Sequence, residues 1–418
     1  MRFDDLDAWL SWQETLHPSE IELGLDRISE VASRMGLLAP HCKVITVAGT
    51  NGKGSSLAML DAIYRAAGYK TGLYTSPHIN RYNERIRLNG SEVSDQLLCE
   101  AFEAVDQARG EVSLSYFEFG TLAALTIFNQ SELDVMLLEV GLGGRLDAVN
   151  VIDADVALIT AIDIDHTDWL GADRELIGRE KAGIMRPDRV TVVSDPEPPT
   201  SILDYANTVH SRLVLSGRDY DFQRHENSWE WESEQLRHAA LPFPALKGEF
   251  QLHNAAGVLA IVSSLNGCCP VTEQAIHQGL RTVNCPGRMT LISEHPQVIL
   301  DVAHNPQSAR SLANYLEQNP ISGKTTAVLG MMADKDVDMA LEPFRDIVTH
   351  WYLVAPACAR AMPPEALAER LAQTGMSYQI CSSVQDGIVS ARQDAQNNDR
   401  IIVFGSFFTV AEAMPEAV

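Results

Sequence analysis

Five short apolar runs in the N-terminal half, KVITVAGT, KTGLYTS, DVMLLEV, VALITAI and VTVVSD, alternate with stretches of helical periodicity. Each run is too short for a buried helix and too continuous for a strand with one wet face, so each reads as a strand covered on both sides. Such strands belong to parallel sheets, whose crossovers are helical. The pattern predicts helices at 55–67, 95–108 and 117–129. ERIRLNGSEV, at 84–93, reads as a small hairpin turning at Asn89-Gly90. From about Leu213 the texture changes to short antiparallel strands in RDYDFQRHENSWEWES, followed by helices at 254–265 and 272–283. Pro and Gly in NCPGR, 284–288, mark a linker. A second α/β series then runs through QVILDVA, TTAVLG, WYLVAP and IIVFGS, with helices near 308–318, 336–344, 364–373 and 384–395.

A chain of 418 residues is too long for one ordinary core, in keeping with that division. Its longest apolar runs, VMLLEV and IIVFGSFFTV, are interrupted before the roughly 18 residues that a membrane span needs, so no membrane partner is expected. MRFDDLDAWLSW is acidic where an export signal is basic. The seven cysteines are odd in number and form no C-x-x-C pair, which favours a reducing, cytoplasmic location. A net charge of −24 argues against nucleic acid but not against a small anion held in one cleft.

VITVAGTNGKGSS, 44–56, passes from strand through a glycine turn into a helix. A standard phosphate loop reads G-x-x-x-x-G-K-[ST], and its hydroxyl binds Mg²⁺. Here Gly52-Lys53 fits, but Val47 stands where the leading glycine would be, and Gly54 replaces the hydroxyl residue, with Ser55 one place later. The context still aims backbone N–H groups at one point. The alternative is a merely tight turn, for which a lysine between two glycines is an odd choice. Metal ligands must then come from elsewhere. Ser76, Glu139 and His166 each stand near the end of a strand, where parallel sheets collect ligands, and together they suit Mg²⁺. Singly, Ser76 reads as a turn residue and His166 as a cap. GLGG lacks the third glycine of a dinucleotide loop, since Leu146 occupies that place. The fold class expected is α/β: an N-terminal P-loop-type ATPase domain over 1–284 and a smaller, Rossmann-like C-terminal domain over 288–418, with a ligand cleft where they meet.

GTNGKGS, TSPHI, LEVGLGGRLDAVN, DIDHTDWLG and REKAGI, followed by CPGRM, LDVAHNP, ADKD and VFGSF, resemble the folate branch of the Mur-ligase-like ATP-dependent amide ligases. The resemblance spans most of the chain. It implies ligation of L-glutamate to dihydropteroate, and to reduced folates, through an acyl phosphate. ATP would be co-substrate, with Mg²⁺ taken as two ions, room for a monovalent cation, and a monomeric enzyme.

Carried over by position, Gly52, Lys53, Gly54 and Ser55 would cradle ATP, with Asn254, Arg288 and Asp301 completing its site. Ser76, Glu139, His166 and a carbamylated Lys181 would hold metal. From its neighbours alone, Lys181 reads as an ordinary ion pair with Glu180 or Asp188. Lys53, Lys181 and His304 would carry chemistry, and His304 and Ser406 would meet glutamate or phosphate. The pterin-bearing substrate would lie at Glu22, Leu23, Gly24 and Leu25, at Ser115, Tyr116, Phe117 and Glu118, and at Leu146, Asp147 and Ala148. In that arrangement Phe117 stacks on the ring and Asp147 accepts its N–H groups. Without the resemblance Phe117 reads as core. Competing readings are a peptidoglycan-type ligase, an enzyme with the polyglutamate activity alone, a P-loop ATPase or kinase, and a nucleotide-binding regulator.

Overall fold

Apolar residues at consecutive positions bury a strand on both faces, and β1 (Lys43–Ala48), β5 (Val135–Glu139) and β6 (Val156–Ile159) form the middle of a sheet in just this way. The computed structural model describes residues 2–19 and 21–414. β1 lies between the other two, with Lys43 opposite Val135 and Ile45 opposite Val156, all parallel. Adding β2 (Thr71–Tyr74), β3 (Ile86–Leu88), β4 (Ser91–Glu92), β7 (Val190–Val193) and β8 (Arg212–Leu215) gives an eight-stranded sheet of order β4-β3-β2-β5-β1-β6-β7-β8. Only β3 runs against the others, antiparallel to both β2 and β4, and it joins β4 through Asn89 and Gly90 with φ of 52° and 82°, the turn expected there.

The chain leaves β1 towards β2 on one side and resumes at β6 on the other. The carboxyl end of β1 is therefore where the connections diverge, the usual ligand position in such sheets. One face of the sheet carries Trp9, Phe102, Phe119 and Phe128, and a separate cluster around Ile159, Ile177 and Ile202 lies under the helices Arg174–Ala182 and Thr200–Val209. The antiparallel segment forms a three-stranded sheet of β9 (Tyr220–Arg224), β10 (Trp229–Ser233) and β11 (Arg237–Leu241). It is tied down by Trp231 Nε1, which donates to the Ala256 carbonyl at 3.0 Å.

The chain divides into two compact units, Met1–Ala245 with Gln251–Asn284, and Leu246–Phe250 with Cys285–Val418. The expected first domain therefore gives up the 246–250 segment, because Phe250 packs on the core of the second unit. That core, around Phe344, Trp351 and Phe404, lies on a six-stranded sheet. Its strands are β12 (Thr290–Glu294), β13 (Gln297–Leu300), β14 (Thr325–Leu329), β15 (Val348–Leu353), β16 (Tyr378–Ile380) and β17 (Arg400–Phe404), in the order β12-β13-β17-β14-β15-β16. β12 is an antiparallel edge and the rest are parallel. Among the described residues, no helix is long and apolar enough to cross a membrane.

Candidate active site

β1 feeds a turn that only glycine can make at two places. A Cβ on Gly49 would lie 1.8 Å from Thr160 Oγ1, and Gly52, with φ of 97°, would bring one to 2.4 Å from Asn254 Oδ1. The turn is strapped to the end of β6. Thr160 Oγ1 donates to the Asn51 carbonyl at 2.8 Å, and Thr50 Oγ1 donates to the Asp163 carbonyl at 2.9 Å while accepting the Asp163 N–H at 3.1 Å. Gly52 then caps the helix Lys53–Ala66, whose first-turn N–H groups and positive dipole end suit an anion.

Two lysines meet at this turn. Lys53 Nζ donates to the carbonyls of Gly49 at 3.0 Å and Thr50 at 3.3 Å, and Lys181 Nζ donates to the same Gly49 oxygen at 3.0 Å. Lys181 is 4% exposed, and burial, followed by the charge of Lys53, pulls its pKa from 10.5 down to about 7. The ordinary ion pair with Glu180 or Asp188 is thus not what the structure contains. Glu180 pairs instead with Arg145, at 2.9 Å.

At the ends of the neighbouring strands, the buried Glu139 carboxylate accepts the Ser76 N–H at 3.1 Å, joining two of the four expected metal ligands. His166 is exposed and left-handed, with φ of 52°, at the start of the short helix Thr167–Leu170, and its N–H donates to Asp165 Oδ1 at 2.8 Å. Its side chain makes no capping bond there. Among the described residues, no group of three or more His, Cys, Asp or Glu stands ready to hold a metal unaided. A hard cation would rest on a mixed set of hydroxyl, carboxylate and imidazole, and a buried carboxylate close to a phosphate turn suits it.

The expected substrate residues divide into two groups. Gly24 N–H donates to the Leu146 carbonyl at 3.2 Å, which brings the 22–25 segment to Leu146, Asp147 and Ala148. Phe117 is half-buried and stacks on Tyr74, with ring centres 6.0 Å apart at 25°. It also presses on Gly141, where a Cβ would meet its ring at 2.6 Å. It is neither a plain core residue nor a free platform, because one side is fixed by protein.

Ser115 and Glu118, by contrast, cap the helix Tyr116–Asn129 reciprocally, and Glu118 also pairs with Arg27, which joins Glu22. Asp147 has backbone partners of its own. It is buried, and its oxygens accept the N–H groups of Leu142 at 2.8 Å and Val149 at 3.0 Å, so it shapes the turn before it can serve a ring. Burial pushes its pKa up to about 7, against the pull of those N–H groups and Lys53.

Asn254 lies on the helix Phe250–Ser264, and its Nδ2 donates at 2.9 Å to Gln251 Oε1. Gln251 Nε2 in turn donates to Ser55 Oγ at 3.2 Å. The sequence reading missed Gln251, although i, i+3 spacing from Asn254 on a helix is a signal that the two amides meet.

In the second unit, Arg288 lies over the ring of Phe407 at 5.2 Å. Asp301 accepts the N–H groups of Met289 and Ala303, each at 2.8 Å. Burial raises the Asp301 pKa while Arg288 pulls the other way. His304 Nδ1 bonds to the Val302 carbonyl at 2.8 Å. Ser406 caps the helix Phe407–Ala413, accepting the Thr409 N–H at 3.0 Å.

Residues 287–407 match the family model of the Mur ligase glutamate-ligase domain. An Escherichia coli protein named dihydrofolate synthase/folylpolyglutamate synthase is 43% identical over 98% of this chain and 94% of its own length. The structure of E. coli FolC in complex with DHPP and ADP superposes with a TM-score of 0.94 at 43% identity, covering 98% of this chain and 97% of that one. The Yersinia pestis bifunctional folylpolyglutamate synthase/dihydrofolate synthase complexed with AMPPNP and Mn gives 0.93 at 46% identity, covering 98% and 97%.

Proposed function

The chain belongs to the dihydrofolate synthase/folylpolyglutamate synthase family, and on that premise we propose that it uses ATP to join L-glutamate to dihydropteroate and to reduced folates. A carboxylate is a poor electrophile. Its oxygen therefore attacks the γ-phosphorus of ATP, releasing ADP and leaving an acyl phosphate. The glutamate amine attacks the acyl carbon, the amide forms, and phosphate departs with the oxygen that the carboxylate donated. Nearly all of the catalysis in the first step is positioning and charge neutralisation.

The observation that carries this reading is the pair of lysines on the Gly49 carbonyl at the start of a glycine-capped helix. The N–H groups of Gly52–Ser55 cradle the phosphates, and Lys53 exchanges its loop carbonyls for phosphoryl oxygens. Ser76, Glu139, His166 and a carbamate on Lys181 would hold Mg²⁺, which neutralises charge on the transferring group. We take two ions, with a monovalent cation as a further occupant. Carbon dioxide adds only to a neutral amine, and burial of Lys181 supplies one near neutral pH. Phe117, backed by Tyr74, offers its remaining face to a flat ring. In the second unit, Arg288 and Asp301 are assigned to the nucleotide, and His304 and Ser406 to glutamate. The same reading makes the enzyme a cytoplasmic monomer.

The test is ADP release by purified protein with ATP, Mg²⁺, glutamate and dihydropteroate, repeated with tetrahydrofolate as the acceptor. Release that requires both acid and amine is expected. Full-rate release without glutamate, and no new amide by mass spectrometry, refutes the proposal.

A further inference from the structure

Gln251 is 1% exposed, and its amide is committed to two neighbours, donating to Ser55 Oγ and accepting from Asn254 Nδ2. The direction of the first bond matters. A serine hydroxyl has one proton and two lone pairs. By accepting from Gln251, Ser55 keeps its own proton, and it does so in the first turn of the helix assigned above to the phosphates. The second bond sets the direction of the first. With Asn254 Nδ2 on Gln251 Oε1, only Nε2 remains for Ser55, and Asn254 Oδ1 is turned towards Gly52. One buried amide thus orients a hydroxyl and a second amide at the same turn.

We propose that Gln251 is a positioning residue for phosphoryl transfer, fixing the Ser55 hydroxyl as a donor to the nucleotide phosphates and the Asn254 amide against the loop. This rests on the ATP-dependent reading of the same site. In this role Gln251 acts on its two protein partners and not on substrate. Its loss acts through Ser55 and Asn254, as expected for a support that holds catalytic groups in place.

A double-mutant cycle separates this role from simple core packing. Gln251→Met removes both hydrogen bonds at similar volume and is expected to raise the KM for ATP about tenfold, a factor typical of a lost buried hydrogen bond, with the KM for glutamate unchanged. In a Ser55→Ala background the same substitution is expected to raise it by no more than about threefold, because the hydroxyl it orients is gone. Gln251→Glu keeps the shape and the bond from Asn254 but must take the serine proton. It is expected to lose at least as much ATP affinity with Ser55 present, and it stands in if the methionine variant does not fold. Equal factors in both backgrounds, or parallel losses for ATP and glutamate, overturn the proposal while wild-type ligation stays intact. Absence of wild-type ligation would instead overturn the functional reading.

Discussion

Lys181 in the first unit and Asp301 in the second are both buried ionisable groups whose charged forms burial disfavours, but they differ in their partners. Asp301 takes a backbone N–H on each oxygen and has Arg288 near by. Ser406 beside it in the fold is likewise committed, capping the helix that follows β17. Lys181 meets the Gly49 carbonyl, shares it with a second lysine, and loses its hydration almost completely. A buried charge with its full set of partners holds the architecture together. A buried amine set next to another cation is destabilised as an ammonium ion, and such groups gather where chemistry is done.

On that contrast, the largest effect belongs to Lys53. Lys53→Ala removes a preorganised charge from the transferring phosphoryl group and should lower kcat by a factor on the order of 100–1,000, about 3 kcal/mol or more. The melting temperature should stay near the wild-type value. Near-normal turnover would reduce the loop to a structural turn.

Next comes Lys181. Lys181→Ala and Lys181→Arg should impair ligation alike, on the order of 10–100-fold, since neither can form a carbamate. Acetate should restore part of the alanine variant's activity and none of that of Lys53→Ala. The pH dependence has a definite sign. The folded pKa of about 7 lies below the ordinary 10.5, so the neutral amine predominates above about 7 and is lost as pH falls through it. Bicarbonate-stimulated activity should therefore decline on the acid side of 7. An arginine variant with full activity would break the comparison.

Smaller effects are expected in the second unit, and on stability first. Asp301→Asn sets an amide N–H against one of two backbone donors and should destabilise by about 1–3 kcal/mol, read as a lower denaturant midpoint. Ser406→Ala removes a cap worth about 1 kcal/mol. A rise in the KM for glutamate well beyond that energy would show that this hydroxyl serves substrate as well as the helix.

Much of this was legible in the sequence, for identifiable reasons. GTNGKGS follows a strand and opens a helix, and both periodicities survive in the chain; the hairpin at Asn89-Gly90 needs positive φ at two adjacent residues and has it. The burial of Lys181 was not legible, because among the charges of RELIGREKA it reads as a member of an ordinary ion pair. It is buried by a close approach that two glycines permit. A Cβ on Gly144 would lie 2.8 Å from the Glu180 carbonyl oxygen, and one on Gly183 would lie 2.3 Å from Arg145 Cβ. GLGG therefore docks a turn against a helix, which explains its glycines without a dinucleotide. The turn bonds of Asp147 were not legible for a related reason, since its backbone partners at Leu142 and Val149 exist only once that turn is folded. The segment 246–250 has no periodicity of its own, so its membership of the second unit could come only from where Phe250 packs.

The central claim, that ATP activates a folate-precursor carboxylate for attack by glutamate, is tested most directly by following an oxygen atom. Dihydropteroate carrying ¹⁸O in its carboxylate is converted with ATP, Mg²⁺ and glutamate, and the released phosphate is analysed by mass spectrometry. An acyl phosphate requires that each phosphate formed with the amide carry one carboxylate oxygen. Phosphate free of label, alongside ADP formed at the same rate, would contradict the account.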